Sequence, residues 1–90
     1  MSSTLYITRN IFNEKATIGF KQPIKGIIAR KFYDHDGSLG GGFITIGPDY
    51  LDWFEGVLAA YPRMDDDERD LQKIVNILRE GDSLDMWFEN

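Results

Sequence analysis

The chain has 90 residues, of which 42% are apolar and 13% are aromatic, and it carries a net charge of −5. This composition excludes a disordered chain and predicts a single domain, residues 1–90, with one core. The absence of cysteine excludes disulfides and thiolate metal sites, and it fits a reducing, cytoplasmic location.

The N-terminal half predicts four antiparallel strands. Residues 4–10 and 16–21 alternate between apolar and polar side chains, which is the period of a half-buried strand. Residues 26–33 are rich in β-branched and aromatic side chains, and residues 43–47 form another short apolar run. The short connections between these segments favour an antiparallel meander.

The second half changes to the helical period and predicts two helices, at about 48–61 and 66–80. Pro48 suits the first position of a helix, where its missing N–H would have had no partner. Gly81 follows the second helix as a left-handed terminator. The second helix has a single apolar stripe, formed by Leu71, Ile74, Val75 and Leu78. Each helix carries only one such stripe, so we expect both to pack on one face of the sheet.

Alternation returns at the end of the chain. Residues 84–89 place Leu84, Met86 and Phe88 against polar or aromatic neighbours, which predicts a final strand that joins the sheet. The predicted fold is therefore α+β, with four N-terminal strands, two helices and a last strand. Several sheet orders fit these elements equally well.

Charge is divided unevenly between the two halves. Residues 1–45 carry six basic and three acidic residues, a net charge of +3, whereas residues 46–90 carry four basic and twelve acidic residues, a net charge of −8. An acidic surface repels nucleic acid and attracts a basic protein surface, although the same charges also serve solubility.

Five carboxylates fall within six positions where the second helix is predicted to begin: Asp65, Asp66, Asp67, Glu68 and Asp70. One or two of them would satisfy the helix dipole, and the excess adds repulsion. The run therefore predicts partner binding through Asp65, Asp66, Asp67 and Asp70, with simple dipole stabilisation as the alternative. Adjacent residues point in different directions around a helix start, so we expect no metal site here.

Two tryptophans, Trp53 and Trp87, lie on the less buried side of their predicted elements. Interface hot spots are enriched in tryptophan and are often ringed by polar groups. Each has two carboxylates nearby in the sequence, Asp52 and Glu55 for the first, Asp85 and Glu89 for the second. These residues predict a partner-binding patch, and the alternative is that both indoles cover the core.

The segment 32–43, FYDHDGSLGGGF, holds the only histidine and four of the nine glycines. It resembles a calcium-binding EF-hand loop at its inner positions, but Phe32 and Phe43 stand where calcium needs carboxylates. No Gly-Lys-Ser/Thr phosphate pattern follows the glycines. We expect a long hairpin connection with His35 exposed, and Gly40–Gly42 either orders on a partner or belongs to a plain surface loop.

Nucleophile–base spacings and ligand clusters are not evident, so the sequence predicts a non-enzymatic protein without cofactor or metal. In its size, its lack of cysteine and its lack of a pocket signature, the chain resembles in a general way the small acidic inhibitors made by phages or by toxin-carrying bacteria. This resemblance rests on composition and involves no motif. It implies an anti-CRISPR, anti-restriction or toxin-immunity type of inhibitor that docks on a basic, nucleic-acid-handling protein.

A structural or adaptor protein is the alternative function. Such a protein would join a larger complex or form a homodimer through a sheet edge or through Trp87. No apolar run approaches the length that spans a bilayer, so we expect no membrane partner, and the overall acidity opposes direct binding of nucleic acid.

Overall fold

The computed structural model describes residues 4–9, 17–35, 42–60 and 65–89. The described residues form an α+β fold with one four-stranded antiparallel sheet and three α-helices. In chain order the elements are β1 (Thr4–Arg9), β2 (Ile18–Phe20), α1 (Ile24–Phe32), β3 (Ile44–Ile46), a 3-10 turn (Pro48–Tyr50) leading into α2 (Leu51–Ala60), α3 (Asp65–Arg79) and β4 (Leu84–Glu89).

The last strand lies inside the sheet, whose order is β2-β1-β4-β3. Strand β4 pairs along its whole length with β1, so that Tyr6 lies opposite Trp87, and it pairs on its other side with β3. The prediction that residues 84–89 return to the sheet is therefore confirmed. The two strands at the edges, β2 and β3, are only three residues long.

The predicted strand at 26–33 is wrong, because this segment is helix α1. Ile24 and Ile28, four residues apart, are both fully buried, which is the spacing of a helix face. The side-chain oxygen of Gln22 accepts a hydrogen bond from the backbone N–H of Gly26 at 3.0 Å, which satisfies a donor in the first turn. The described part of the chain thus has three helices where two were predicted, and three strands before α2 where four were predicted.

The other two helices follow their predicted positions within a few residues. Pro48 opens the 3-10 turn that continues into α2, as its place in the sequence predicted. Gly81 ends α3 with a φ of 92°, and its N–H donates to the carbonyl oxygen of Leu78 at 3.0 Å. The four predicted stripe residues of α3 are all fully buried or nearly so.

One face of the sheet is buried and the other is open. The side chains directed towards the helices form the core with α1, α2 and α3, and from the strands they are Leu5, Ile7, Ile18, Phe20, Ile46, Leu84 and Met86. Successive residues of a strand point to opposite faces, so Tyr6, Gly19, Thr45 and Trp87 lie on the other side. These residues are half-buried or exposed.

Parts of several predicted segments lie outside the described residues. These are residues 36–41 of the glycine-rich segment and the ends of three predicted elements, at residues 10, 16 and 61. Within the described part, no helix has both the length and the apolar character needed to cross a bilayer.

Candidate functional site

A row of three aromatic rings crosses the open face of the sheet. Trp87 of β4 is at its centre, stacked on Tyr6 of β1 with ring centroids 5.8 Å apart and an interplanar angle of 24°. On its other side Trp87 stacks on Phe43, with centroids 5.1 Å apart and planes within 4° of parallel. Phe43 is 67% exposed. We call Tyr6, Trp87 and Phe43 the aromatic row.

The glycine opposite Tyr6 accounts for one end of the row. Gly19 pairs with Tyr6 across β1 and β2, and a Cβ built on Gly19 would lie 3.2 Å from Cε1 of Tyr6 and 3.1 Å from Cγ2 of Thr4. The Tyr6 ring therefore covers the backbone of the edge strand, an arrangement that compensates for the missing glycine side chain. A larger residue at Gly19 would require the ring to move.

Tyr33, at the end of α1, fixes the other end of the row. Its hydroxyl donates to the carbonyl oxygen of Gly42 at 2.8 Å and reaches that of Met86 at 3.2 Å. Burial raises the pKa of the Tyr33 hydroxyl. Because Gly42 directly precedes Phe43, this contact attaches the start of the β3 segment to the central strand β4.

Two carboxylates flank Trp87 on the same face, and both accept hydrogen bonds from neutral donors. The Asp85 Oδ1 accepts from the Thr45 hydroxyl at 2.6 Å. The Glu89 Oε2 accepts from the indole N–H of Trp87 at 3.2 Å. Among the described residues no cation pairs with either carboxylate. Each carboxylate is thus oriented by a neutral donor, and no cation in the described part of the chain neutralises it.

Some of the carboxylates predicted on α2 and α3 lie next to cations of the same chain. Glu55 pairs with Arg79 at 2.7 Å, and Arg69 lies 3.3 Å from Asp66. Asp70 lies 3.9 Å from Arg69 and from Lys73. Three of the predicted carboxylates on these helices thus have a cation within 4 Å, whereas Asp52 and Asp67 have none among the described residues.

Asp67 differs from its neighbours on α3. Its pKa is raised, first by partial burial and then by repulsion from Asp70 and Asp66. Asp65 is the first residue of α3, and its side chain lies outside the described part of the structure. The crowding of carboxylates that the sequence indicated therefore adds to the effect of burial in raising the pKa of Asp67.

The second tryptophan packs in the helical layer. The Trp53 ring contacts Phe32 and Phe54 at centroid distances of 5.4 and 4.9 Å, and the Lys31 ammonium lies 6.0 Å from its centroid. Trp53 packs against the core cluster, whereas no member of the aromatic row does. An open groove of about 410 Å³ beside Trp53 is lined by Ile27, Asp52, Trp53, Gly56, Val57 and Ala60.

The structure does not gather the predicted residues into one site. Asp52, Trp53 and Glu55 lie on α2, Asp66, Asp67 and Asp70 lie on α3, and Trp87 lies on the open sheet face. Sequence reasoning missed Tyr6 and Phe43 as neighbours of Trp87. Alternation along β1 marked Tyr6 as outward-facing, but its meeting with Trp87 depends on the β1–β4 register.

The open face presents the aromatic row and two carboxylates, which are groups suited to binding another molecule. Within the described residues, no three His, Cys, Asp or Glu side chains are grouped so as to hold a metal ion. His35, which the sequence predicted to be exposed, is instead half-buried, and its ring lies 5.8 Å from that of Tyr33 and 6.0 Å from that of Phe88. No family model, curated protein or solved structure matches this chain.

Proposed function

We propose that this protein is a non-enzymatic binding protein whose open sheet face docks on a positively charged surface of a larger protein. The observation that supports this most directly is the aromatic row, which is stacked on itself and stands apart from the core. Asp85 and Glu89 flank the row with charges that no described cation compensates.

Physical chemistry favours such a face as an interface centre. Tryptophan and tyrosine dominate binding hot spots because they bury a large area at little cost in conformational entropy. Carboxylates next to them accelerate encounter with a basic partner and select against acidic ones. The row and its two carboxylates extend about 10 Å across the strands and about 13 Å along β4. A standard interface covers about 800 Å² on each partner. We therefore expect the aromatic row to form the centre of the interface and the protein surface around it to supply the remaining area.

The class of partner follows from charge. Basic surfaces of suitable size occur on proteins that handle nucleic acid, because their grooves bind phosphate. Occupation of such a groove by an acidic protein would block it, which is the action of an inhibitor. A nuclease or nucleic-acid-binding complex is therefore the partner we propose, and the anti-CRISPR, anti-restriction and toxin-immunity types remain predictions of this class.

The alternative function is that of a structural or adaptor protein that self-associates or joins a larger complex. The observation in its favour is Phe43, a large apolar side chain that is 67% exposed. Against a face-to-face dimer, two open faces brought together would confront the same carboxylates, Asp85 and Glu89, with their copies. Sedimentation of the purified chain separates the two functions, since a stable homodimer lost in Phe43→Ser would favour self-association.

The proposal is tested by comparing two charge variants that keep side-chain shape. The tagged full chain is used to capture partners from cells of its source, with cross-linking, and the purified partner is then titrated. Asp85→Asn with Glu89→Gln should slow association and reduce its dependence on salt. Asp66→Asn with Asp70→Asn removes the same number of charges from α3 and should have little effect.

A third variant tests the row itself. Trp87→Leu should weaken binding by about thirtyfold, the effect of losing a central hot spot. If the α3 variant loses the partner while both sheet variants keep it, docking belongs to the start of α3, as the acidic run indicated, and the sheet face is not the site.

A further inference from the structure

We infer that the partner presents arginine to this face, as two guanidinium groups that reach Asp85 and Glu89 on either side of an apolar contact with the aromatic row. This inference rests on the proposed function, because it names the chemistry of the segment that occupies the same site. It specifies both the side chain and the spacing that the partner must supply.

The spacing comes from the central strand. Residues 85, 87 and 89 of β4 all point to the open face, since they alternate with the buried Leu84 and Met86. A strand rises about 3.4 Å per residue, so the two carboxylate positions are about 13 Å apart with Trp87 halfway between them. An extended partner segment matches this pattern with cations four residues apart and an apolar side chain at the middle position.

The carboxylates are already oriented for such a partner. Thr45 holds one oxygen of Asp85, and the indole N–H of Trp87 holds one oxygen of Glu89. A carboxylate has about four acceptor sites on its two oxygens, so one hydrogen bond leaves room for a bidentate donor. Orientation before binding reduces the side-chain entropy lost when the partner arrives.

Arginine fits this face better than lysine for two reasons. Its planar guanidinium stacks on aromatic rings and gives a carboxylate two parallel hydrogen bonds. It is also more weakly hydrated than an ammonium, so it loses less on approaching rings such as the exposed Phe43. Trp53 already has the Lys31 ammonium near its ring, whereas no described cation lies over Trp87. Tyr6 and Phe43 stack against Trp87 on its two sides, so the exposed ring of Phe43 is the one on which a guanidinium of the partner would stack.

The experiment follows the two indole N–H signals of the full ¹⁵N-labelled chain. Trp53→Phe assigns them, and Trp53 in the parent chain then serves as the internal control. The probes are three blocked seven-residue peptides with phenylalanine at the fourth position, and with arginine, lysine or citrulline at the second and sixth. Citrulline retains the shape of arginine without its charge.

We expect the arginine peptide to shift the Trp87 signal with about fivefold higher affinity than the lysine peptide, from cation–π and bidentate contacts. The citrulline peptide should leave the signal in place, and the Trp53 signal should not move with any of them. Asp85→Asn with Glu89→Gln should abolish the shift. The control, Asp66→Asn with Asp70→Asn, should retain it. The unliganded spectrum of each variant confirms its fold.

The results that would overturn this inference differ from those that would overturn the proposed function. Equal affinities for arginine and lysine would overturn the assignment of arginine and leave docking on a basic surface intact. A shift that survives the loss of both Asp85 and Glu89 charges would overturn their role as the cation sites. A Trp87 signal that stays fixed with every peptide at millimolar concentration, in a chain whose captured partner also ignores Trp87→Leu, would overturn both.

Discussion

Replacing Tyr33 by phenylalanine removes one oxygen atom that connects α1, the β3 segment and β4. The hydroxyl lies 2.8 Å from the Gly42 carbonyl oxygen and 3.2 Å from that of Met86. A single proton serves both acceptors, so the loss amounts to about one hydrogen bond, or about 1 kcal/mol of unfolding free energy. In a domain of 90 residues this lowers Tm by about 4–8 °C.

The pH dependence of this stability difference tests whether the buried Tyr33 hydroxyl is its cause. Burial raises the pKa of Tyr33 in the folded state. Because the pKa of Tyr33 is higher in the folded than in the unfolded state, folding favours the protonated hydroxyl. This contribution to stability is fully present below the unfolded pKa of about 10, and it is lost as pH rises through the folded pKa. The difference in unfolding free energy between the parent chain and Tyr33→Phe should therefore shrink from about pH 8 to about pH 11.

Thermal and urea unfolding measure the effect, and near-ultraviolet circular dichroism reports whether the aromatic row loosens with Gly42. Tyr50→Phe is the matched control, because the Tyr50 ring is 38% exposed and its hydroxyl has no hydrogen bond to a described residue. Equal stability of the parent chain and Tyr33→Phe, or a difference that does not change with pH, would refute this account of Tyr33.

Two further predictions concern α3 and α1. Partial burial, with repulsion from Asp70 and Asp66, raises the pKa of Asp67, so stability falls as pH rises through the interval between its unfolded and folded values. Relative to the parent chain, Asp67→Asn should therefore gain in Tm from about pH 3 to pH 7, and a constant difference would contradict the burial of that carboxylate. In α1, Ile28→Ala should cost about 2–5 kcal/mol in urea unfolding and Arg30→Ala less than about 0.5, whereas the strand predicted from the sequence would place both side chains on one face.

The elements predicted correctly from the sequence are those in which a hydrophobic pattern continues over many residues or a specific residue marks the end. The apolar stripe of α3 and the terminator Gly81 fixed that helix, and alternation fixed β1 and β4. The segment of α1 was wrongly predicted to be a strand because Ile27, Ile28 and the aromatic pair after Lys31 have high strand propensity. Tertiary packing decided otherwise, since Ile24 and Ile28 fill the core from one helical face. An apolar spacing of four from Ile24 to Ile28 and Phe32 was the available signal, and Ile24 preceded the segment that was read as strand.

The site was less predictable than the fold because it depends on long-range pairing. Trp87 and its flanking carboxylates could be proposed from alternation within β4. Its stacking on Tyr6 depends on the β1–β4 register, and its stacking on Phe43 depends on the pairing of β3 with β4. Both conditions join residues that are far apart in the chain, and no local pattern specifies them.

The two tryptophans have similar neighbours in the sequence but differ in how they pack in the structure. In the sequence both Trp53 and Trp87 stand near two carboxylates and on the less buried side of an element. In the structure Trp53 packs against the core, has a lysine near its ring, and lies on the same helix as Glu55, which Arg79 pairs. Within the described part of the chain Trp87 has no such partners: its neighbours are rings that stand apart from the core and carboxylates that accept hydrogen bonds from neutral donors. A negative charge that is compensated inside the chain adds little to the attraction of a partner. We therefore expect the proposed binding to depend most on carboxylates that no described cation pairs, and Asp85 and Glu89 are two of these. These two carboxylates flank the stacked rings, and for this reason we propose the open face, rather than the acidic run of α3, as the surface on which a basic partner would gain both affinity and orientation.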